Sequence, residues 1–351
     1  MTATFEQGPI RPPSEARSLL VRVTRNCPWN RCAFCPVYKG RDYSARPPAE
    51  ILADLDEMKA AAERGEFPLA QWLADGGRTV FLQDANAIAF PRKKLLAVLE
   101  GIRERFPTVD RITTYSQTRT LARKPVELLT AYREAGLSRV HVGLETGSDA
   151  VLELVDKGAT AAVHIEGGRR VVTSGLHLCC YVMPGLGGVA LSEDHAAETA
   201  RVLTAIQPAA VRLRSLVVAP RTPLGELVAA GRFDPLSEAA MVAEIRAMLA
   251  AMDGVHARLV SDHDLNLLPE LEGQLPGDLP RLLAICDTFL GWGEADRNRF
   301  VFGRRARLVG SVADLGVAGV RDAIDDAAAR FGVDLLLPID EWMQQLRRQM
   351  V

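Results

Sequence analysis

Short apolar and β-branched runs recur along the first two thirds of the chain, and each ends at polar or glycine residues. There are six of them: Leu19 to Val23, Thr79 to Leu82, Arg111 to Tyr115, Val140 to Leu144, Leu176 to Val182 and Val211 to Val218. From the second run onward, successive starts are about 29 to 36 residues apart, close to the roughly 30 residues that a strand, a crossover helix and a returning strand require. The spacing predicts βα units that pair in a parallel sheet.

Helix-like stretches separate these runs. They cover residues 49–64, 92–106, 125–135 and 192–207, with prolines or a serine cap, Ser192, at their starts. Six βα units therefore occupy roughly residues 15 to 225. A closed barrel needs eight units, so the sequence predicts an α/β fold in the form of a partial (β/α)6 TIM-like barrel.

The remainder of the chain has a different character. Four helix-like stretches are joined there by irregular pieces, with one short strand candidate near His256 to Val260; the stretches are Ser237 to Met252, Pro280 to Leu290, Gly319 to Arg330 and Asp340 to Met350. We therefore predict three segments: an N-terminal arm (1–17), a barrel core (18–225) and a mostly helical C-terminal extension (226–351).

Composition limits the class of protein. Of the 351 residues, 48% are hydrophobic and 25% charged, and 42 Lys and Arg against 44 Asp and Glu leave a net charge of −2. These values are typical of a globular protein and exclude a disordered chain or a basic nucleic-acid coat. No run reaches the roughly 18 to 20 apolar residues of a membrane-spanning helix, and the first residues lack a secretory signal. We expect a cytoplasmic protein with no membrane partner, and the charge balance makes a nucleic-acid substrate the less favoured choice without excluding it.

Three of the six cysteines lie within nine positions. Cys27, Cys32 and Cys35 form a C-x4-C-x2-C pattern just after the first run. Three thiolates on one loop can converge on one metal centre, and sulfur ligands select zinc or an iron–sulfur cluster. The loop offers no fourth protein ligand, which leaves one position open; a zinc site with a distant fourth ligand is the alternative.

A three-cysteine loop after the first strand of a partial barrel resembles the cluster loop of the radical S-adenosylmethionine (radical SAM) enzymes. The resemblance implies a [4Fe-4S] cluster on Cys27, Cys32 and Cys35, with S-adenosylmethionine bound to the open iron and cleaved to a 5′-deoxyadenosyl radical. Phe34 matches the aromatic residue usual before the last ligand and is expected near the adenine. The family's usual spacing is C-x3-C-x2-C, whereas this chain has four residues in the first gap.

Further segments extend the resemblance. VHVGLETGSDAVLELVDKG is similar to a GLESGSD-type segment in the subgroup of the oxygen-independent coproporphyrinogen dehydrogenases, the Elongator catalytic subunit and the methylthiotransferases. It implies that Glu145, a catalytic candidate, contacts the amino group or ribose of the cofactor. Lys157 is then expected to neutralise the cofactor carboxylate, unless it is only a solvated helix charge. CCYVMPGLGG and LRSLVVAPRTPL match the next two strand ends, where Met183, Gly185 and Leu216 would line the adenine.

Other polar residues stand at predicted strand ends, where parallel barrels bind ligands. Asp84 is expected to accept the methionyl ammonium, in place of the family's GGE-like turn. Ser116, Gln117 and Arg214 complete the predicted cofactor site. In the extension, His263 of the SDHDLN segment is predicted either to act on substrate as an acid or base or to form a hydrogen-bonded turn.

The sequence thus predicts an oxidoreductase-like radical SAM enzyme that acts on a small molecule, with a flavodoxin- or ferredoxin-type electron donor expected at the family level. Two alternatives stay open. In the first, the same radical chemistry is directed at RNA or a peptide; in the second, the chain is a non-catalytic iron–sulfur or zinc protein. No second C-x2-C pattern is present, which argues against an auxiliary cluster.

Overall fold

The computed structural model describes residues 5–252, 254–337 and 339. The predicted helix from Asp340 to Met350 lies outside the described residues. The chain divides into two compact units: unit 1 comprises residues 1–144 and 158–180, and unit 2 comprises residues 145–157 and 181–351. These borders differ from the boundaries predicted at 17/18 and 225/226, which stay predictions.

All six apolar runs contain strands. They are β1 (Leu19–Arg22), β4 (Thr79–Gln83), β5 (Arg111–Ser116), β6 (Leu137–Glu145), β7 (His177–Val182) and β8 (Ala210–Leu213). The strand order is β1-β4-β5-β6-β7-β8, followed by β9 (Arg258–Val260) and β10 (Gly273–Gln274). Two short strands, β2 (Thr24–Arg25) and β3 (Ser44–Ala45), form a separate antiparallel pair. The predicted α/β class with a parallel sheet is confirmed.

In unit 1 the strands β1, β4, β5 and β6 pair in parallel, with Leu20 opposite Phe81 and Phe81 opposite Thr113. Both faces of β4 are buried, as expected for a parallel strand covered by helices. The helices of this unit are α1 (Pro48–Glu63), α2 (Leu69–Ala74), α3 (Arg92–Arg105), α4 (Thr118–Leu121), α5 (Val126–Glu134) and α7 (Ala161–Thr173). In α1, Ile51, Leu55 and Met58 recur at helical spacing and are fully buried.

Unit 2 contains strands β8 to β10, with β8 and β9 parallel and β9 and β10 antiparallel. Its helices are α6 (Asp149–Leu154), α8 (Ser192–Ile206), α9 (Pro223–Ala229), α10 (Glu238–Ala250), α11 (Leu279–Gly291), α12 (Glu294–Arg305) and α13 (Val320–Arg330). Among the described residues, no helix is long and apolar enough to span a membrane.

Two local predictions about unit 2 were wrong. The sixth run was predicted to be a strand as far as Val218, but β8 ends at Leu213. Beyond it, the N–H groups of Arg214 and Leu216 donate to the carbonyls of Val182 and Pro184, so the chain follows the turn after β7. Ser192 was predicted to cap a helix, yet it lies inside α8 and its hydroxyl donates to Glu244 instead.

Candidate functional site

The cysteine loop joins β2 to β3 and lies in unit 1. Cys27, Cys32 and Cys35 are half-buried, and all six cysteines of the chain are free of disulfides. Asn26 and Asn30 adopt left-handed backbone conformations, with φ of 63° and 51°, which asparagine tolerates better than most residues. These asparagines allow the loop to turn sharply on both sides of Cys27.

Asp84, the predicted ammonium acceptor, is fully buried and fastens both ends of the cysteine loop. Its carboxylate accepts hydrogen bonds from the Tyr38 hydroxyl at 2.8 Å and the Asn26 backbone N–H at 3.3 Å. It also pairs with the Arg22 guanidinium at 2.7 Å. Since these donors already occupy the carboxylate, the geometry does not favour the predicted contact with S-adenosylmethionine, which stays a prediction.

Two N–H groups are directed at the sulfur of Cys27. The Gln117 side-chain amide donates to its sulfur at 3.2 Å, and the Asn30 backbone N–H does so at 3.4 Å. Arg119 in turn donates to the Gln117 side-chain oxygen at 2.9 Å, which fixes the orientation of the amide. Gln117, predicted from its place at a strand end, therefore lies against a predicted cluster ligand.

Ser116 stands beside Gln117 in sequence but has a different environment. It is buried, and its hydroxyl donates to the side-chain oxygen of Asn86 at 2.9 Å. Asn86 in turn donates to the Thr120 hydroxyl. These hydrogen bonds connect Ser116 to Asn86 and Thr120 inside the protein. Because the hydroxyl already donates to Asn86, the geometry does not favour the predicted contact of Ser116 with the cofactor, which stays a prediction.

The extra residue of the first cysteine gap lies in a segment that contains Trp29. The guanidinium groups of Arg119 and Arg31 lie over its ring, at 4.2 and 4.9 Å from the centroid. Gly158 faces the same ring with a φ of 69°, and a Cβ at that position would overlap the indole. Trp29 therefore anchors the longer gap through packing and cation–π contacts.

Among the described residues, no three Cys, His, Asp or Glu side chains lie close enough together to hold a metal ion. The donor chemistry nevertheless fits an iron–sulfur cluster, because three free thiols share one short loop and two N–H groups point at Cys27. Sulfur ligands of such clusters commonly accept N–H hydrogen bonds of this kind.

In unit 2, Glu145 and Lys157 form an ion pair at the end of β6. The Lys157 ammonium lies 2.9 Å from a carboxylate oxygen of Glu145, and the two side chains are 14% and 12% exposed. The alternative of a solvated helix charge for Lys157 is therefore wrong. Glu145 has a φ of 65°, a conformation that is uncommon outside glycine and that often marks functional sites. Their predicted contacts with the cofactor stay predictions.

The glycine turn after β7, residues 183–191, lies beside an apolar cavity. Gly185 has a φ of 86°, and Leu216 is bonded to Pro184 through its N–H at 2.9 Å. The cavity has a volume of about 210 Å³ and is lined by Gly185, Leu216, Val217, Val228, Leu236 and Met241, among others. Met183, the first residue of this turn, is buried, and its backbone N–H donates to the Glu145 carbonyl at 2.9 Å.

Both ring nitrogens of His263 have neighbours within hydrogen-bond distance. The Leu265 N–H donates to Nδ1 at 3.2 Å, and Nε of Arg214 lies 3.4 Å from Nε2. Burial and the neighbouring Arg214 charge lower the pKa of His263 to about 4. With this pKa the ring is neutral near pH 7, and the predicted role of His263 as an acid or base on substrate stays a prediction. Arg214 is directed at this ring, and its predicted place in the cofactor site also stays a prediction.

The SDHDLN segment around His263 is a hydrogen-bonded turn, the second of the two predicted roles. Asn266 is buried, and its side-chain oxygen accepts from the N–H and the hydroxyl of Ser215. Its amide donates to the Leu213 carbonyl and to the Ser261 hydroxyl. These bonds fasten the segment to the end of β8.

Comparison with known proteins gives the family. The sequence model of the Radical SAM superfamily matches residues 21–200, which include the cysteine loop and the GLETGSD segment. The chain belongs to the radical SAM superfamily. Its members bind a [4Fe-4S] cluster and S-adenosylmethionine, so the predicted cofactors and the prediction of an enzyme are confirmed. The alternative of a non-catalytic iron–sulfur or zinc protein is wrong.

Two curated relatives of this radical SAM enzyme are only partly similar to it. The anaerobic magnesium-protoporphyrin IX monomethyl ester cyclase of Rubrivivax gelatinosus is 27% identical over 161 residues, or 46% of this chain and 25% of the relative. The 4′-phospho-dehydrooxetanocin synthase of Priestia megaterium is 24% identical, over 46% of this chain and 22% of the relative. The matched region therefore spans about a quarter of the length of these relatives.

Among solved structures, the cobalamin-dependent S-adenosylmethionine radical enzyme OxsB, with aqua-cobalamin and S-adenosylmethionine bound, has a TM-score of 0.50 and 14% identity. The likeness covers 93% of this chain and 51% of that chain. At this identity the likeness speaks for the fold alone. Together with the family, it confirms the predicted partial barrel.

Sequence reasoning missed one buried network in unit 2 of this radical SAM enzyme. Glu244 of α10 is 4% exposed and accepts hydrogen bonds from the Gly185 N–H and the Ser192 hydroxyl, both at 2.6 Å. Nε2 of His195 lies 3.6 Å from the same carboxylate, and neither ring nitrogen of His195 has a hydrogen-bond partner among the described residues. Burial raises the pKa of Glu244 to about 7 and lowers that of His195 to about 4.

We expect Glu244→Gln to change how stability depends on pH. The folded protein keeps a proton on Glu244 up to about pH 7, whereas the unfolded chain releases it near the ordinary pKa of 4.5. This group therefore lowers stability as pH rises from about 4.5 to about 7, by about 3 kcal/mol in all. His195 acts in the opposite direction, because its folded pKa of about 4 lies below the ordinary 6.5. Its contribution to stability rises as pH rises from about 4 to about 6.5.

Urea unfolding at a series of pH values measures both effects. The measured quantity is the free energy of unfolding of each variant minus that of the unsubstituted protein. As pH rises from about 4 to about 7, this difference should increase for Glu244→Gln and decrease for His195→Gln. The control is Glu226→Gln, at an exposed glutamate of α9, which should give a curve parallel to that of the unsubstituted protein. Parallel curves for all three variants would contradict the assignment of the two buried groups.

Proposed function

We propose that this radical SAM enzyme generates a 5′-deoxyadenosyl radical and uses it to abstract hydrogen from a small-molecule substrate. The observation that carries the proposal is the loop of three free, half-buried cysteines with N–H donors directed at Cys27. When bound and reduced, the cluster and S-adenosylmethionine supply the radical. The protein contributes the ligands, the orientation of the cofactor and the binding of the substrate.

Cys27, Cys32 and Cys35 would hold the cluster through their thiolates. The Gln117 amide and the Asn30 N–H would then stabilise the negative charge on the Cys27 sulfur. Asp84 contributes indirectly, since its bonds to Asn26 and Tyr38 hold both ends of the loop.

The residues proposed for S-adenosylmethionine follow the family resemblance. Phe34, Met183, Gly185 and Leu216 would contact the adenine, and the cavity beside Gly185 and Leu216 supports an apolar contact surface there. For the polar end of the cofactor we propose two further residues. Glu145 would accept a hydrogen bond from the amino group or the ribose, and Lys157, which already neutralises Glu145, would bind the carboxylate.

A small-molecule substrate is favoured by the two curated relatives, an anaerobic magnesium-protoporphyrin IX monomethyl ester cyclase and a 4′-phospho-dehydrooxetanocin synthase. The net charge of −2 does not favour an RNA partner. A cytoplasmic location and a flavodoxin- or ferredoxin-type electron donor belong to the same proposal.

Anaerobic reconstitution tests the proposed chemistry. Protein loaded with iron and sulfide and reduced with dithionite should convert S-adenosylmethionine to 5′-deoxyadenosine and methionine, measured by liquid chromatography. About four irons and four sulfides per chain are expected for the loaded protein. A fully loaded protein that releases neither product would overturn the proposal, and binding of RNA that weakens steeply with salt would favour the alternative substrate.

A further inference from the structure

We propose that Glu244 is a positioning residue that holds the glycine turn after β7 in the shape that binds S-adenosylmethionine. The inference rests on the proposed function of that turn. Glu244 lies on α10, within the segment that the sequence separated from the barrel as a C-terminal extension. The extension would therefore contribute to the cofactor site through a side chain that never touches the cofactor.

The first support is the contact itself. Gly185 directs its backbone N–H at a carboxylate oxygen of Glu244 at 2.6 Å, and both groups are buried. A buried N–H without a partner is costly, and Glu244 supplies the acceptor for this one. The second carboxylate oxygen accepts from the Ser192 hydroxyl at 2.6 Å, so the side chain is fixed at both oxygens.

The second support is the way in which neighbouring residues restrict the same turn. Gly185 has a φ of 86°, and a Cβ there would lie 3.1 Å from the Met241 methyl group on α10. A little farther along, the Val189 N–H donates to the Asp234 carbonyl at 2.9 Å. A Cβ on Gly188 would lie 2.7 Å from that same carbonyl oxygen. Residues 234–244 therefore shape the turn at several points, and Glu244 supplies the acceptor.

The hydrogen-bond pattern, rather than the charge, is what the turn requires. A neutral glutamic acid at position 244 still accepts from Gly185 through one oxygen and shares a hydrogen bond with Ser192 through the other. A glutamine does the same with its oxygen and its amide. Methionine has a similar length but provides no comparable acceptor. Glutamine should therefore preserve the turn, and methionine should not.

The experiment measures binding of S-adenosylmethionine to the reconstituted full chain by anaerobic equilibrium dialysis. Glu244→Met is expected to bind about tenfold more weakly, which corresponds to the loss of one buried hydrogen bond. Glu244→Gln should bind within about twofold of the unsubstituted protein. Iron content and visible absorbance should be unchanged in both variants, because neither substitution removes one of the three cysteines of the loop.

Glu238→Met is the matched control. Glu238 is also a buried glutamate of α10, and it pairs with Arg305 of α12 at 2.8 Å. Its loss should lower the melting temperature without weakening binding. If Glu244→Met does not fold, Ser192→Ala takes its place, because it releases one carboxylate oxygen. We expect about threefold weaker binding from it.

Three results would overturn the inference. The first is that Glu244→Met binds S-adenosylmethionine as tightly as the unsubstituted protein. The second is that Glu238→Met loses as much affinity as Glu244→Met. The third is that Glu244→Gln binds as weakly as Glu244→Met. Failure of the proposed function looks different, since the unsubstituted protein would then carry a full cluster and still bind no S-adenosylmethionine.

Discussion

Cys32→Ala is expected to abolish cleavage of S-adenosylmethionine, lowering the yield of 5′-deoxyadenosine by at least about 100-fold, since loss of even outer-shell partners of a metal ligand costs 10- to 100-fold. The protein offers three thiol ligands on one loop. Two cysteines cannot hold a [4Fe-4S] cluster against loss of iron. Iron analysis, visible absorbance and product yield measure the effect together.

Cys286→Ala is the control for this prediction. Cys286 is buried in α11, and its pKa is raised to about 12 by burial, so it stays an unreactive thiol. The variant should keep its iron and its product yield. If Cys32→Ala retained a full cluster and cleaved the cofactor, the cysteine loop would not be the cluster site.

Gly147→Ala is expected to destabilise the protein by about 3 kcal/mol or more. A Cβ at this position would overlap the backbone carbonyl of Glu198, and it would also crowd the Cα of Thr199. A clash with backbone atoms of α8 is not relieved by a change of rotamer. Displacement would also break the bond from the Gly147 N–H to the Thr199 hydroxyl, which is 2.9 Å long. Thermal melting and urea unfolding measure the loss.

Gly316→Ala provides the comparison for Gly147→Ala. A Cβ on Gly316 meets no atom within 4 Å, so the change in stability should stay within about 0.5 kcal/mol. Equal stability of the two variants would show that the space around Gly147 is more adaptable than the structure indicates. A large loss of stability in Gly147→Ala would attribute the glycine of the GLETGSD segment to close packing against α8, without contact with a ligand.

The strands of the barrel were predictable because their signal is local. Val80, Phe81 and Leu82 are fully buried, and a parallel strand buried on both faces reads as a continuous apolar run whatever its partners are. The cysteine loop was predictable for a similar reason, since its ligands are close in sequence. The end of β8 at Leu213 was not predictable, because the apolar run continues to Val218 although those residues bond to the turn after β7 outside the regular strand.

The polar residues at strand ends show how far position alone carries a prediction. Asp84, Ser116 and Gln117 were all predicted to contact the cofactor, because each follows a strand. In the structure Asp84 forms an ion pair with Arg22, and the Ser116 hydroxyl donates to Asn86. Of the three side chains, it is the Gln117 amide that is directed at a cysteine. Each of these polar side chains bonds to a side chain 30 to 90 residues away in the sequence. Position at a strand end therefore does not show which of them already has a hydrogen-bond partner.

The amino-acid sequence determined the positions of the six strands along the chain, the resemblance to the family and the three thiols, because each of these shows in residues near one another in the chain. Tertiary structure alone decided which groups support the site. Tyr38 reaches Asp84 across 46 positions, Trp29 packs against Gly158, and Glu244 meets Gly185 across 59 positions. Such contacts leave no periodic or spacing signal, since a buried hydrogen bond needs only that two groups meet in space.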